Sequence, residues 1–258
     1  LKKLAAEAGG SAVLITFFPH PRLVLYPDSA GKDLKMINSQ DEKIRLLEEI
    51  GLDHLIILEF TKDFARTTSE DFVEHFLVGK LSAHTVVVGF NHYFGHNREG
   101  NYASLYKAGQ RFSFRVEEIP EQEIQNETVS STRIRRALRE GNIQRANAYL
   151  EHYYMISAGL EPGIEGMDKG RSPFLRIRMN DPQKLLPPKG SYAASIRQRG
   201  LQRKALVQLE GKERRLYPLE PDAEPPGDEV TIYFHLRLYG SAQKDLTLQF
   251  ERVRELIY

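Results

Sequence analysis

The sequence predicts a doubly wound parallel-sheet α/β domain followed by a smaller antiparallel β domain. Three observations predict this. Up to about residue 150, short and nearly all-apolar runs alternate with amphipathic helical patterns, as in a parallel sheet covered on both faces. Past about residue 157 prolines and glycines become frequent, and the readable segments alternate like antiparallel strands. The chain has 258 residues, enough for two domains that each bury a core. The boundary is placed between residues 156 and 157, giving domains 1–156 and 157–258.

The elements follow in order. Leu1, Leu4 and Ala5 share a helical face that Gly9-Gly10 stops, and Ser11 to Phe17 is a β-rich apolar run. Ser39 and Glu42 form a capping box ahead of Ile44, Leu46, Leu47 and Ile50, with Gly51 as the stop. The alternation repeats: strand His54 to Phe60, helix Ser69 to Lys80, strand Thr85 to Phe90, helix Asn101 to Ala108, strand Phe112 to Glu117. Ser130-Ser131-Thr132 opens a helix reaching Gly141, and a shorter helix ends near Leu150. In the second part Ser191 to Arg197, Lys204 to Glu210 and Glu229 to Leu238 read as strands. A doubly wound sheet puts a strand before its first helix, so a strand and turn are expected ahead of Leu1.

Composition narrows the function. Lys plus Arg number 36 and Asp plus Glu 35, a net charge of +1, without the basic excess a nucleic-acid binder needs. No apolar run approaches the roughly 18 residues of a membrane span. The first ten residues read as the end of a helix, not as a secretory signal. The absence of cysteine excludes disulfides and thiolate chemistry and fits a reducing compartment, so cytoplasm is the expectation.

Three loops lie where a parallel sheet places ligands, beyond the carboxyl ends of its strands. In Thr16-Phe-Phe-Pro-His-Pro21, Pro19 and Pro21 fix an extended turn that holds His20 where it can meet a phosphate or a flat ring. The alternative is a rigid turn with a surface histidine. In Gly89-Phe-Asn-His-Tyr-Phe-Gly95, Gly89 lets backbone approach a ligand, Asn91 offers a donor and an acceptor, the aromatics can wall a planar group, and Arg98 is close behind. The alternative is an ordinary connecting loop. His92 and His96 are a poor zinc pair because Gly95 interrupts the helical spacing. In Val129 to Arg135, Ser130, Ser131 and Thr132 set hydroxyls at a helix start beside unpaired N–H groups, and Arg133 or Arg135 can add a charge-assisted bond to phosphate. The alternative is a plain N-cap on a basic helix.

Together, in this order and spacing, the motifs resemble the bacterial bifunctional riboflavin kinase and FMN adenylyltransferase family, the prokaryotic FAD synthetases. The adenylyltransferase half of that family reads TFxPHP, VxGxDxxFGxxRxG and [IV]SSTxIR, matched by Thr16 to Pro21, Val87 to Gly100 and Val129 to Arg135. Lys43, Phe60, Phe64, Phe72 and Leu105 also fall on its pattern. Asn91 stands where many relatives have aspartate, and the family's GxFDGxHxGH segment would precede Leu1.

The resemblance implies transfer of AMP from ATP, with Mg2+, to FMN, giving FAD and pyrophosphate. It assigns ATP phosphates to Ser130, Ser131, Thr132, Arg133 and Arg135, catalytic roles to His20 and Arg135, and the flavin or nucleotide site to Pro19, His20, Pro21, Gly89, Asn91 and Arg98. No protein metal ligands are identified, and the implied partners are small molecules only. For the second part it implies a riboflavin-kinase-like antiparallel β-barrel, carried by Gly170-Arg171 and Lys184 to Ala193. Yet the PTAN positions hold Arg176 to Met179, and the catalytic glutamate falls near Arg215. A cation cannot act as the base that activates a hydroxyl, so the barrel is expected to lack kinase chemistry. The competing readings are a non-catalytic flavin or nucleotide sensor and a nucleotidyltransferase with another phosphate acceptor.

Overall fold

The structure is a computed structural model that describes residues 1–29, 33–124, 127–162, 174–220, 229–239 and 246–257. The chain forms two compact units, neither contiguous in sequence. The first holds Leu1–Leu34 and Ile44–Glu123, the second Lys35–Lys43 and Ile124–Tyr258.

In the first unit α1 (Lys2–Glu7) ends ahead of Gly9, whose φ of +64° makes the turn. Strand β1 (Val13–Phe18) is followed by α2 (Pro21–Leu25), and α3 (Gln40–Glu49), whose residues up to Lys43 are counted with the second unit, precedes β2 (His54–Glu59). β1 and β2 pair in parallel, Val13 opposite His54 through Phe18 opposite Glu59. Asp53 Oδ2 accepts the Ala12 N–H at 2.7 Å and ties together the starts of both strands.

The next helix begins as α4 (Ser69–Asp71), capped by the Thr68 hydroxyl, and continues as a π-helical segment over Phe72–Lys80. β3 (Thr85–Gly89), α5 (Tyr102–Phe112) and β4 (Arg115–Ile119) complete the layer, with β3 and β4 parallel. The expected parallel pairing is therefore present, as two parallel strand pairs. Val73 and Leu77 of the π-helical segment, Leu105 of α5, Val88 of β3 and Phe114 form one buried cluster. Phe112, expected to start a strand, instead ends α5, because Ser113 takes a left-handed conformation (φ +64°) that stops the helix one residue later. Two-residue strands β5 (Glu123–Ile124) and β6 (Glu127–Thr128) follow.

The second unit contains α6 (Ser131–Glu140), α7 (Ile143–Leu150) and a closed antiparallel barrel. Its strands are β7 (Tyr154–Pro162), β8 (Leu175–Met179), β9 (Gly190–Gln198), β10 (Leu201–Glu210), β11 (Glu213–Pro218) and β12 (Glu229–Leu238). They close in the order β10-β11-β8-β7-β12-β9, which leaves no strand edge unpaired. Arg199 and Gly200, both at positive φ, make the two-residue turn between β9 and β10. Tyr154, Ile156, Tyr192, Ile196, Ile232 and Phe234 fill the interior, and Ile134, Leu138, Ile143 and Ala146 of α6 and α7 join the same cluster. A last helix, α8 (Leu246–Leu256), packs Phe250 and Val253 against Leu206 and Tyr217. Among the described residues no helix is long and apolar enough to cross a membrane.

The segment around Met36 is clipped to the barrel. The Met36 N–H donates to the Gln183 carbonyl and the Leu185 N–H to the Met36 carbonyl, both at 2.8 Å. The expected capping box is present: Glu42 Oε2 accepts the Ser39 N–H at 2.8 Å and the Ser39 hydroxyl accepts the Glu42 N–H at 3.2 Å. Glu42 does more than cap, since its other oxygen accepts the Ser157 N–H at 2.7 Å and Lys184 donates to Oε2 at 2.6 Å.

Candidate active site

The first predicted loop leaves β1 through a cis Phe18–Pro19 bond. His20 is the N-cap of α2: its Nδ1 accepts the Arg22 N–H at 3.2 Å. An accepting Nδ1 puts the neutral ring's proton on Nε2, which makes that nitrogen a donor suited to a phosphate oxygen. Pro21 does not prolong an extended turn, as its neighbourhood suggested, but starts the helix. Its fixed φ is pre-set for the first helical position, where no N–H is required.

The second loop begins as β3 ends. Phe90 still donates to the Ile119 carbonyl at 2.9 Å, Asn91 then turns the chain with φ +60°, and the His92 N–H closes the turn on the Gly89 carbonyl at 3.0 Å. Phe94 and Gly100 exchange two backbone bonds of 3.0 and 2.9 Å, so the intervening residues form a closed excursion. Within it Arg98 (φ +61°) lies 4.8 Å over the Tyr93 ring. The excursion is locked to the start of α4: Glu99 accepts the Ser69 N–H at 2.8 Å, and a Cβ on Gly95 would sit 2.6 Å from the Ser69 nitrogen. His96 Nδ1 bonds the Ala65 carbonyl at 3.0 Å, and burial pushes the His92 imidazole below its ordinary value.

A chain of rings connects the two loops. Phe17 meets Phe64 at 5.5 Å, Phe64 meets Phe72 at 6.4 Å, Phe72 meets Phe94 at 6.2 Å, and Phe94 stacks on His92 at 5.9 Å. The TFFPHP turn and the Gly89–Gly100 loop are thus anchored in one aromatic core. Phe90 and Tyr93 remain exposed on that loop, available to a planar ligand.

The third predicted element opens α6 in the second unit. The Ser130 hydroxyl accepts the Arg133 N–H at 3.3 Å, while Ser131, Thr132 and Arg133 are exposed at the positive end of a ten-residue helix. The two arginines differ. Arg133 lies 3.6 Å from Glu127, a carboxylate that Tyr149 and Arg145 also grip. The Tyr149 hydrogen bond, then Arg145, holds the Glu127 carboxyl below the usual range. Arg135 is half-buried and donates through Nε to the Lys35 carbonyl at 2.9 Å. The predicted residues thus divide between the units: Pro19, His20, Pro21, Gly89, Asn91 and Arg98 in the first, Ser130 to Arg135 in the second.

Sequence reasoning missed the Glu127–Arg145–Tyr149 cluster and the Glu42–Lys184 pair. Arg145 and Tyr149 are only four positions apart on α7, but Glu127 lies 18 positions from Arg145 and Glu42 lies 142 from Lys184, so neither carboxylate's partner carried a short-range signal. In the barrel Arg176 faces outward on β8, opposite Arg215 on β11, and Arg215 pairs with Glu213 at 2.7 Å. Gly170-Arg171 lies outside the described residues. Among the described residues no group of three or more His, Asp and Glu side chains could hold a metal ion.

Comparison with known proteins gives these residues a family. The chain is 32% identical over 203 residues to the bifunctional riboflavin kinase/FMN adenylyltransferase of Listeria monocytogenes, covering 77% of this chain and 62% of that protein. It is 29% identical over 249 residues to the protein of the same name from Bacillus subtilis, covering 94% and 75%. The Escherichia coli protein of that name is 29% identical over 187 residues, covering 71% and 57%. The matched region thus spans less than two thirds of the Listeria and Escherichia coli proteins. A crystal structure titled as a macrolide-efflux protein from Streptococcus pneumoniae superimposes with a TM-score of 0.77 over 92% of this chain and 85% of that one. At 23% identity that likeness is one of fold alone. The FAD synthetase family model matches residues 1–133, from α1 to the opening turn of α6, and the chain belongs to that family.

Proposed function

We propose that the chain is an FMN adenylyltransferase, which transfers AMP from ATP to FMN and yields FAD and pyrophosphate. The observation that carries this reading is the FAD synthetase match over residues 1–133, which takes in both predicted loops and the helix start at Ser130. In the proposed reaction an oxygen of the FMN phosphate attacks the α-phosphorus of ATP in line. The bond from that phosphorus to the bridging oxygen breaks, and pyrophosphate leaves with the electron pair. Catalysis is then positioning and charge neutralisation, without a covalent enzyme intermediate.

The N–H groups and hydroxyls of Ser131 and Thr132, together with Arg135, bind the departing phosphates. Arg133 is the lesser contributor, because Glu127 offsets its charge. His20 donates from Nε2 to the reacting phosphates, with Pro19 and Pro21 fixing its place. Gly89, Asn91 and Arg98 line the flavin or nucleotide site, where Phe90 and Tyr93 offer exposed rings. Magnesium enters on the ATP phosphates as part of the substrate. The functional division falls at residues 1–156 and 157–258, and the barrel carries no riboflavin kinase activity. The protein works in the cytoplasm on small molecules, without a nucleic-acid or membrane partner.

Full-length protein incubated with FMN, ATP and magnesium and analysed by chromatography tests this. FAD accumulating in step with pyrophosphate is the expected result. FMN recovered unchanged, while the protein retains its fold, refutes it.

A further inference from the structure

A fixed carboxylate stands beside the helix start that the proposed function gives to pyrophosphate, and no step of the reaction uses it. Glu127 lies on β6, three residues ahead of Ser130, the N-cap of α6, and Arg133 of the first helical turn approaches it to 3.6 Å. A negative charge at the rim of an anion site opposes binding.

The carboxylate is built into its place. α6 ends at Gly141 (φ +77°), and α7 follows at once, with Asn142 Oδ1 accepting the Arg145 N–H at 3.2 Å. Ile134 and Leu138 of α6 and Ala146 and Tyr149 of α7 belong to one buried cluster, which sets the two helices against each other. Arg145 and Tyr149, four residues apart, share a face of α7. Arg145 donates through Nε to the Tyr149 hydroxyl at 2.8 Å and through Nη2 to both Glu127 oxygens, and the Tyr149 hydroxyl donates to Oε2. These bonds close a ring that fixes the direction of the carboxylate. The Tyr149 bond, then Arg145, keeps the Glu127 carboxyl below the usual range, so it is charged at neutral pH. Arg145 and Tyr149 already meet its hydrogen-bonding needs. Arg133, at 3.6 Å, is beyond hydrogen-bond distance and is drawn to it by charge alone.

We propose that Glu127 is a positioning residue for the pyrophosphate end of the reaction: it draws Arg133 away from the phosphates and so keeps the product weakly bound. The inference rests on the adenylyltransferase reading, in which Ser131, Thr132 and Arg135 hold the departing phosphates. A phosphate that recruits Arg133 has to compete with Glu127 for the guanidinium. Arg135 Nε, by contrast, bonds a neutral carbonyl. Binding that is equally tight before and after the transition state does not lower the barrier, and a tightly held product delays the next turnover.

The test compares the full-length parent, Glu127→Gln and Glu127→Gln/Arg133→Gln by isothermal titration with magnesium pyrophosphate and by pyrophosphate inhibition of FAD formation. Glutamine keeps the length of the side chain and an acceptor for Tyr149 while removing the charge. Glu127→Gln should bind pyrophosphate about 5-fold more tightly, the scale of an exposed ion pair, and the gain should vanish in the double variant. A purely structural Glu127 predicts the opposite, weaker pyrophosphate binding together with a lower melting temperature. Glu127→Asp keeps the charge but shortens its reach towards Arg133; it should tighten binding by a smaller factor, and it serves if glutamine unfolds the helix pair. Unchanged, weakened or absent pyrophosphate binding in Glu127→Gln, or a gain that survives in the double variant, overturns the proposal. The titration needs no turnover, so the two readings fail separately. The expected titrations without FAD formation by the parent refute the adenylyltransferase reading alone, whereas FAD formation with unaltered pyrophosphate affinity in Glu127→Gln refutes only the role of Glu127.

Discussion

Glu42 and Lys184 form a fully buried ion pair, 2.6 Å apart with both side chains 1% exposed, between residues 142 positions apart in sequence. The same carboxylate accepts the Ser39 and Ser157 N–H groups, so one side chain caps α3 and ties its first turn to β7. Burial pushes the Lys184 ammonium down to about 8, with Glu42 acting against that shift.

Removing one partner should therefore cost more than removing both charges. Glu42→Leu leaves an uncompensated buried ammonium and two unpaired N–H groups, and should lose about 3–5 kcal/mol in urea unfolding. Glu42→Leu combined with Lys184→Met should recover part of that loss. Parent-like stability of Glu42→Leu contradicts this account of the pair.

Gly95 answers to two constraints at once, φ of +75° and a Cβ position 2.6 Å from the Ser69 nitrogen. Gly95→Ala should cost more than about 2 kcal/mol in thermal unfolding. It should also lower FAD formation, because the Asn91 loop is displaced from α4. Unchanged melting removes the loop's locking from the account.

His235 sits at the irregularity of β12, 2.9 Å from the Ser195 hydroxyl and 4.2 Å from the Tyr153 ring, and burial pushes its imidazole down to about 4. Between pH 6.5 and 4 the unfolded chain takes up a proton at His235 that the native state refuses. Stability should therefore fall as pH drops through that window. A proton NMR titration of the His235 ring should have its midpoint near 4, and a midpoint above 6 contradicts the buried neutral ring.

Arg135 separates a phosphate clamp from a helix-surface arginine. Arg135→Ala should reduce the rate of FAD formation by about 10²-fold, as for loss of one transition-state donor. Arg135→Lys should recover part of it, since lysine keeps the charge but not the fork. Turnover like that of the parent in Arg135→Ala removes this residue from the site.

Much of this was legible because the signals are local. The Ser39–Glu42 box, the stops at Gly9 and Gly141, and the hydroxyl run opening α6 each act within a few residues, and the structure has them. Boundaries slipped where one apolar run suits two states. Phe112 to Val116 reads equally as helix end or strand, and only the left-handed Ser113 divides it. β8 has the alternation of a strand, yet its arginines drew attention to motif positions instead. Contacts made through folding left no trace: the Arg135 bond to the Lys35 carbonyl joins residues 100 apart. The chain of rings from Phe17 to Phe94 lay in view as separate phenylalanines, without its connectivity.

The most direct test of adenylyl transfer follows two labels in one reaction. Full-length protein is given FMN, magnesium and ATP labelled at the α-phosphorus, and in a parallel sample ATP labelled at the γ-phosphorus, with riboflavin replacing FMN in a third. The account predicts α-label in FAD, γ-label in pyrophosphate, and no labelled FMN from riboflavin. α-Label absent from any flavin, or γ-label transferred to riboflavin, contradicts it.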